Sequence, residues 1–224
     1  GKVLIIALTL MSLNAAALPI TATTGSDFTV NYDAIGGDPV ADVEGLSASV
    51  RYYNFDFVTL ATTLDLTYSK VTFDFDISNT SSLPILTSRI TTLGFNITPD
   101  IYVGNYASDV DGVFDNVSGA SMVPNQGVME FCFTNKQNCA GGGGDGLDIG
   151  QTLYGSADLY FASAEALTSI DFDFFTVRYQ SVTCTSGFDC PNSASGSGEV
   201  PEPGMLALLA TGLVGLALVR RRTA

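Results

Sequence analysis

The chain has 224 residues, of which 23 are acidic and nine are basic, and it contains no histidine and no tryptophan. Its net charge of −14 excludes a nucleic-acid-binding protein, because nucleic acids are bound through cationic contacts to their phosphates. The lack of histidine removes the commonest general base, the usual partner of a nucleophilic serine or cysteine, and most transition-metal sites. We therefore expect a protein without catalytic residues that is not an enzyme.

The first 17 residues are typical of a secretory signal peptide. Lys2 is followed by an apolar run at residues 3–13 and then by three alanines that end at Ala17. A basic start, a short apolar run and an A-x-A-like site are the three parts of such a signal. We expect an N-terminal signal helix that is cleaved after Ala17 during export.

Residues 18–191 show the period-two alternation of half-buried antiparallel strands. Apolar and polar side chains alternate from Val71 to Ser78, and again from Ser169 to Ser181 after a bulge at Phe175. Many short strands separated by Gly/Pro/Asn turns predict a single all-β domain, an antiparallel β-sandwich of jelly-roll-like form. The predicted strands are residues 28–33, 46–57, 71–78, 89–97, 128–133, 152–161 and 169–181.

Two acidic loops are candidate calcium sites, and no other cofactor is expected. The first has alternate carboxylates followed by a glycine, although its spacing departs from the EF-hand pattern. The second, a run of glycines, contains one copy of G-G-x-G-x-D, the start of a calcium-binding repeat that normally works in stacked copies. The alternative for the second is a mobile loop without a ligand. The candidate ligands are Asp109, Asp111 and Asp115 in the first loop, and Asp145 and Asp148 in the second.

Two other kinds of site remain as alternatives. A carbohydrate-binding module would stack sugars on tyrosines, since tryptophan is absent. A hydrolase that uses only carboxylates would need two of them converging in a cleft, whereas the aspartate pairs here face one side of a strand and resemble solvated faces. The residues concerned are Tyr52, Tyr53, Tyr154 and Tyr160 for sugars, and Asp74/Asp76 and Asp171/Asp173 for hydrolysis.

The four cysteines form two close pairs, Cys132 with Cys139 and Cys184 with Cys190. In an exported protein they predict two disulfides. Three pairings are possible, and the two local ones are favoured because short loops close most readily. A four-cysteine zinc site is the alternative, but the spacings are longer than those usual for zinc ligands.

The C-terminal segment has four parts in order. Residues 192–199 are rich in glycine and serine and predict a flexible linker. A Pro-rich tetrapeptide, an apolar run at residues 204–219 and three arginines follow. The apolar run predicts a short transmembrane helix, with the arginines on the cytoplasmic side. The residues that flank the helix are Val200, Pro201, Glu202, Pro203, Arg220, Arg221 and Arg222.

This tail, residues 200–224, resembles the PEP-CTERM sorting domain of Gram-negative bacteria. The resemblance implies that an exosortase, an integral membrane peptidase, recognises Pro201, Glu202 and Pro203 and processes the tail during export. The protein would then be tethered transiently to the inner membrane and would lose residues 204–224. By analogy with this class, we expect a cell-surface or extracellular-matrix protein associated with biofilm exopolysaccharide.

A second resemblance lies within the domain. Residues 86–101, 129–147 and 174–182 are similar to the cistern-type subgroup of PEP-CTERM proteins. This resemblance implies no particular activity. It supports a Cys132–Cys139 bond beside the glycine loop.

Overall fold

The computed structural model describes residues 19–36, 41–102, 109–135, 138–141 and 145–199. Within these ranges the chain forms β-strands and no helix, so none of the described residues forms a helix able to cross a membrane. The predicted signal helix and the predicted helix at 204–219 lie outside the described residues. The strands are Ile20–Thr23 (β1), Phe28–Gly36 (β2), Ala41–Thr62 (β3), Thr67–Asn79 (β4), Ile85–Thr98 (β5), Asp109–Gly112 (β6), Asn116–Val123 (β7), Gly127–Thr134 (β8), Leu147–Asp148 (β9), Thr152–Ser163 (β10), Ser169–Cys184 (β11) and Ser193–Glu199 (β12).

All of these strands belong to one antiparallel sheet, in the order β6-β10-β4-β3-β2-β12-β11-β5-β8-β7, with β1 beside β11 and β9 beside β5. The all-β, antiparallel class is therefore confirmed. In place of two separate layers, the strands form one continuous sheet that is nearly barrel-shaped. Residues 113–115 connect the two ends of the strand order, β6 and β7. Long strands with bulges let the sheet curl in this way.

The alternation that predicted the strands also places the core. Along β4 the side chains at Val71, Phe73, Phe75 and Ile77 are buried, and those between them are partly exposed. The rings of Phe73 and Phe75 belong to an aromatic cluster inside the curled sheet, in which Phe95 and Phe172 have ring centroids 5.0 Å apart. Ring pairs at such distances add about 0.5–1.5 kcal/mol each to the burial of apolar surface. The largest buried aromatic side chains are Tyr32, Tyr52, Phe55, Phe73, Phe75, Phe95, Phe114, Phe133, Phe161, Phe172 and Tyr179.

The predicted bulge in β11 is present. The register with β5 shifts between Asp173 and Thr176, and Phe174 has a positive φ of 50°. The extra residue turns Phe174 outward and keeps Phe175 in the core, so that Phe174 is 46% exposed. Before the bulge the even-numbered residues of β11 face the core, and after it the odd-numbered residues Phe175, Val177 and Tyr179 do.

Both predicted disulfides are present, between Cys132 and Cys139 and between Cys184 and Cys190. The first is buried and packs with Val123 and Met129 in a small second core. The second lies at the end of β11, where both of its cysteines are partly exposed.

The linker predicted at residues 192–199 is wrong. Ser193–Glu199 forms β12, which pairs with β11 on one side and β2 on the other. Its inward residues are all small because large side chains surround them: Ala194 is fully buried, and Gly196 and Gly198 lie against Val30, Tyr32, Val177 and Tyr179. The glycines serve close packing rather than flexibility, and the folded domain extends to Glu199.

Candidate functional site

The Pro-rich tetrapeptide begins one residue after the last residue of β12. Glu199 pairs with Asn31 of β2 and is the final described residue. The sorting-motif residues at 200–203 and 220–222 lie outside the described residues. The structure therefore shows how the domain holds the segment that leads into the tail.

Arg178 holds β12 from the outer face of the sheet. Its side chain is only 7% exposed. The guanidinium donates from Nη1 to Ser195 Oγ at 3.1 Å and from Nη2 to Ser193 Oγ at 2.8 Å. Burial lowers the pKa of Arg178 below its usual value. Its positive charge is buried among neutral acceptors, which makes each of these hydrogen bonds important to the local structure.

The same guanidinium connects β12 to the loop that the first disulfide closes. Arg178 Nε donates to the carbonyl of Ala140 at 3.3 Å, directly after Cys139. Ser195 Oγ donates to the carbonyl of Pro124 at 2.6 Å, in the turn between β7 and β8. Two loops therefore cover the outer face of the last strand. No sequence motif marks Arg178; the only available signal was a charged residue within an apolar strand pattern.

The first candidate calcium loop is part of the sheet. Asp109 and Asp111 lie on the exposed side of β6, and each accepts a hydrogen bond from the next backbone N–H. Asp115 is hydrogen-bonded to the side chain of Asn116. Within the described ranges, no three acidic or cysteine side chains lie close enough together to hold a metal ion. The structure does not bring these three aspartates together as a ligand set.

The second candidate loop uses one of its carboxylates in an ion pair. Asp148 accepts from Arg89 Nε at 3.0 Å, and its own backbone N–H donates to Gln151. Asp145 is exposed. Gly146 between them has a φ of 146° and lies against Arg89 and the carbonyl of Ile90. The glycine at this position permits a close backbone approach, which is a structural reason for part of the glycine run.

Of the four candidate sugar-stacking tyrosines, Tyr52 is excluded because it is buried in the core, where its hydroxyl contacts that of Tyr32 at 3.2 Å. Tyr53, Tyr154 and Tyr160 do share the outer face of β3, β4 and β10. In register, Tyr154 lies opposite Asp76 and Tyr53 lies opposite Asp74. The structure therefore places three predicted tyrosines and one predicted aspartate pair on a single surface, with Tyr154 the most exposed at 57%.

The aspartate pairs lie on solvent-facing sides of their strands. Asp76 accepts from Tyr53 at 3.2 Å and Asp74 accepts from Asn54 at 2.8 Å. Asp171 accepts from Thr21, and Asp173 is exposed. Among the side chains whose exposure the structure describes, no aspartate or glutamate is buried. The desolvated carboxyl that the hydrolase alternative requires is thus not found among them.

Comparison with known proteins identifies one region. Residues 199–222 match the PEP-CTERM protein-sorting motif. No curated protein and no solved structure matches the chain. The motif indicates an exported protein that is anchored in a membrane before an exosortase processes it.

Proposed function

We propose that this protein is a non-enzymatic component of the bacterial cell surface or extracellular matrix, associated with exopolysaccharide in biofilms. The host would be Gram-negative, and the domain would belong to the cistern-type subgroup. The observation that carries the proposal is the position of the sorting motif, whose Pro-rich tetrapeptide directly follows β12, the last described strand of the domain. Cleavage within the tail would release that domain with every described strand intact.

The domain has the properties expected for such a setting. Residues 18–203 contain five basic and 23 acidic residues, which gives this part of the chain a net charge of −18. Such a charge keeps a protein soluble. Two disulfides, each worth about 2–4 kcal/mol, stabilise it where the environment is oxidising. These features support an extracellular scaffold or matrix role.

The test is the mass and location of the native protein. In the producing bacterium we expect the intact mass to lack the residues 1–17 and 204–224, and the protein to be found at the surface or in the matrix. In a strain without the exosortase, we expect a heavier form in the membrane fraction. Native surface protein that retains residues 204–224 would contradict the proposal.

A second candidate function, carbohydrate binding, is favoured by one observation: Tyr53, Tyr154 and Tyr160 share one outer surface with Asp74 and Asp76. Exposed aromatic faces and carboxylates are the groups that stack on sugars and accept hydrogen bonds from their hydroxyls. Affinity electrophoresis in gels containing the producer's exopolysaccharide would test it.

The variant Tyr154→Ala should abolish retardation in such gels, whereas Met122→Ala, an exposed residue of β7, should not. Equal retardation of both variants would exclude this surface. Calcium dependence is tested in the same gels and in thermal melts, with EGTA or with millimolar calcium. Unchanged results would exclude both acidic loops as functional calcium sites. The carboxylate-only hydrolase would require soluble sugars to be released from the same polysaccharide.

A further inference from the structure

The N-terminal and C-terminal strands of the domain lie end to end in the sheet. Ile20 of β1 pairs with Phe172 of β11, and Ser197 of β12 pairs with Thr176 of the same strand. β5 occupies the other side of β11 at both of these positions. Each strand has only two sides for pairing, so β1 and β12 must lie on the same side of β11, one after the other.

The two ends of the domain therefore emerge at one place. Glu199 is two residues beyond Ser197, and Ile20 lies level with Phe172. The remaining gap along β11 is about two strand residues, or roughly 7 Å. β1 fills the sheet position that follows Glu199, and Glu199 itself lies level with Phe174, the exposed residue of the bulge in β11. This end of β12 is the exit, the point at which the described domain ends.

The distance from this exit to the membrane is short. Five residue steps separate Glu199 from residue 204, where the apolar run begins. Fully extended, they span at most about 17 Å. A domain of about 180 residues has a radius of gyration near 16 Å, which corresponds to a sphere of roughly 20 Å radius. The tether is shorter than the radius, so the exit must stay on the half of the domain that faces the bilayer.

A flexible linker would have had the opposite consequence. If residues 193–199 were unpaired, twelve residue steps would separate the domain from the apolar run, with a reach of about 41 Å. That reach equals the diameter of the domain, so every orientation would be allowed. The formation of β12 therefore determines whether the anchored domain has a preferred face.

Acidic side chains are present on the outer surface of both sides of the domain. Around the exit, the outer surface has the exposed Phe174 and several hydroxyl and amide side chains, together with three aspartates. On the opposite side five aspartates face outward from β4, β10 and β6. The residues around the exit are Thr21, Thr23, Thr29, Asn31, Asp33, Asp171, Asp173 and Ser197, and the opposite aspartates are Asp74, Asp76, Asp109, Asp111 and Asp158.

We propose that, in the membrane-anchored precursor, the outer surface around Phe174 of β11 faces the lipid bilayer. The outer surface on the opposite side of the sheet, which carries Tyr154 on β10, faces away from it. This rests on the proposed function, because it requires the tail to be in the membrane before processing. The domain would thus be presented in one orientation to whatever acts at the membrane surface. The exposed aromatic ring at the bulge is the side chain best placed to contact lipid.

Photo-crosslinking of the full-length chain tests the orientation. Phe174 or, as the matched control, the similarly exposed Tyr154 is replaced by p-benzoylphenylalanine, and the chain is expressed in a bacterium that lacks the exosortase. We expect the membrane-bound precursor to crosslink to lipid several-fold more from position 174 than from position 154. Equal lipid labelling from both positions, or crosslinks from 174 to protein alone, would overturn the proposal.

A second variant tests the tether itself. Insertion of eight Gly/Ser residues between Glu199 and Val200 extends the reach to about 44 Å, and we expect lipid labelling from position 154 to rise toward that from position 174. Unchanged labelling after the insertion would show that the tether does not set the orientation. A precursor that never sediments with membranes would refute the anchoring step of the proposed function, whereas a membrane-bound precursor with equal labelling refutes only the orientation.

Discussion

Gly198 provides a direct test of whether residues 193–199 form a packed strand. A Cβ added at this position would lie 2.5 Å from Val30 Cγ1, 2.7 Å from Phe175 Cβ and 2.8 Å from Tyr32 Cε1. Carbon atoms in contact are normally about 3.5–4.0 Å apart. The variant Gly198→Ala therefore requires three core residues, or the strand itself, to move.

The expected cost follows from these overlaps. Forcing a methyl group into a well-packed core destabilises a protein by about 1–3 kcal/mol. For a domain of this size each kcal/mol lowers the melting temperature by about 2–4 °C, so we expect a decrease of roughly 2–12 °C. In a flexible linker the same change would leave stability unaltered, because alanine would restrict the folded and the unfolded chain equally. The size of the effect thus distinguishes the two descriptions.

Gly119→Ala in β7 is the matched control, because a Cβ there has no heavy atom within 4 Å and its φ is not in the left-handed region. The assay is thermal and urea denaturation of both variants beside the parent protein. We expect the control to lie within about 0.5 kcal/mol of the parent. A Gly198→Ala protein as stable as the Gly119→Ala protein would refute the packing argument and would indicate that residues 193–199 are a flexible linker.

Three further predictions concern buried polar groups. Arg178→Lys should lower the free energy of unfolding by about 1.5–3 kcal/mol, since one ammonium cannot replace the three hydrogen bonds of the guanidinium; urea denaturation showing no loss would contradict this. Tyr179→Phe should raise the free energy of unfolding by about 1 kcal/mol, because the buried hydroxyl of Tyr179 has no hydrogen-bond partner. Tyr32→Phe removes the hydrogen-bond partner of Tyr52 and should lower the free energy of unfolding. Identical shifts in melting temperature for the two variants would refute this distinction. Burial raises the pKa of Tyr32, Tyr52 and Tyr179 above 10, so these tyrosines stay neutral in the folded protein while the unfolded chain ionises near pH 10. The free energy of unfolding should be unaffected by them below about pH 10 and should decrease above it; tyrosinate absorbance rising before unfolding begins would contradict the burial.

The strands with large apolar residues were predictable from sequence. In β4 every second side chain is large and apolar, so the alternation is visible and the core-facing side is known. The bulge in β11 was visible for the same reason, because Phe174 and Phe175 break the alternation by one residue. Local disulfides were also predictable, since closing a short loop loses little entropy.

The last strand was not predictable by the same method. Residues 193–198 do alternate, with serines facing outward and Ala194, Gly196 and Gly198 facing inward. Hydrophobic periodicity does not register this pattern, because small residues bury little apolar surface. Their reason for being small lies in other strands, chiefly in the rings of Tyr32 and Tyr179. Information of that kind is tertiary and does not appear in a local window.

The same limit explains why the candidate sites were only partly predicted. A tyrosine at an outward position and one at an inward position look alike in sequence until the phase of the strand is known. Tyr52 and Tyr53 are adjacent, and only the pairing of β3 with β4 shows that Tyr52 is in the core and Tyr53 outside. Arg178 was overlooked because nothing in its own strand indicates that two loops cover it.

The position of β12 connects folding to sorting. β12 is the last of the described strands, yet it lies between β2 and β11, so the sheet is incomplete until residues 193–199 have paired. Glu199 ends β12 and is also the first residue of the matched sorting motif, so the last described strand and the motif are continuous along the chain. Pairing of β12 then shortens the free chain between the domain and the apolar run from about 41 Å to about 17 Å. In the orientation proposed above, completion of the fold would therefore bring the domain closer to the bilayer.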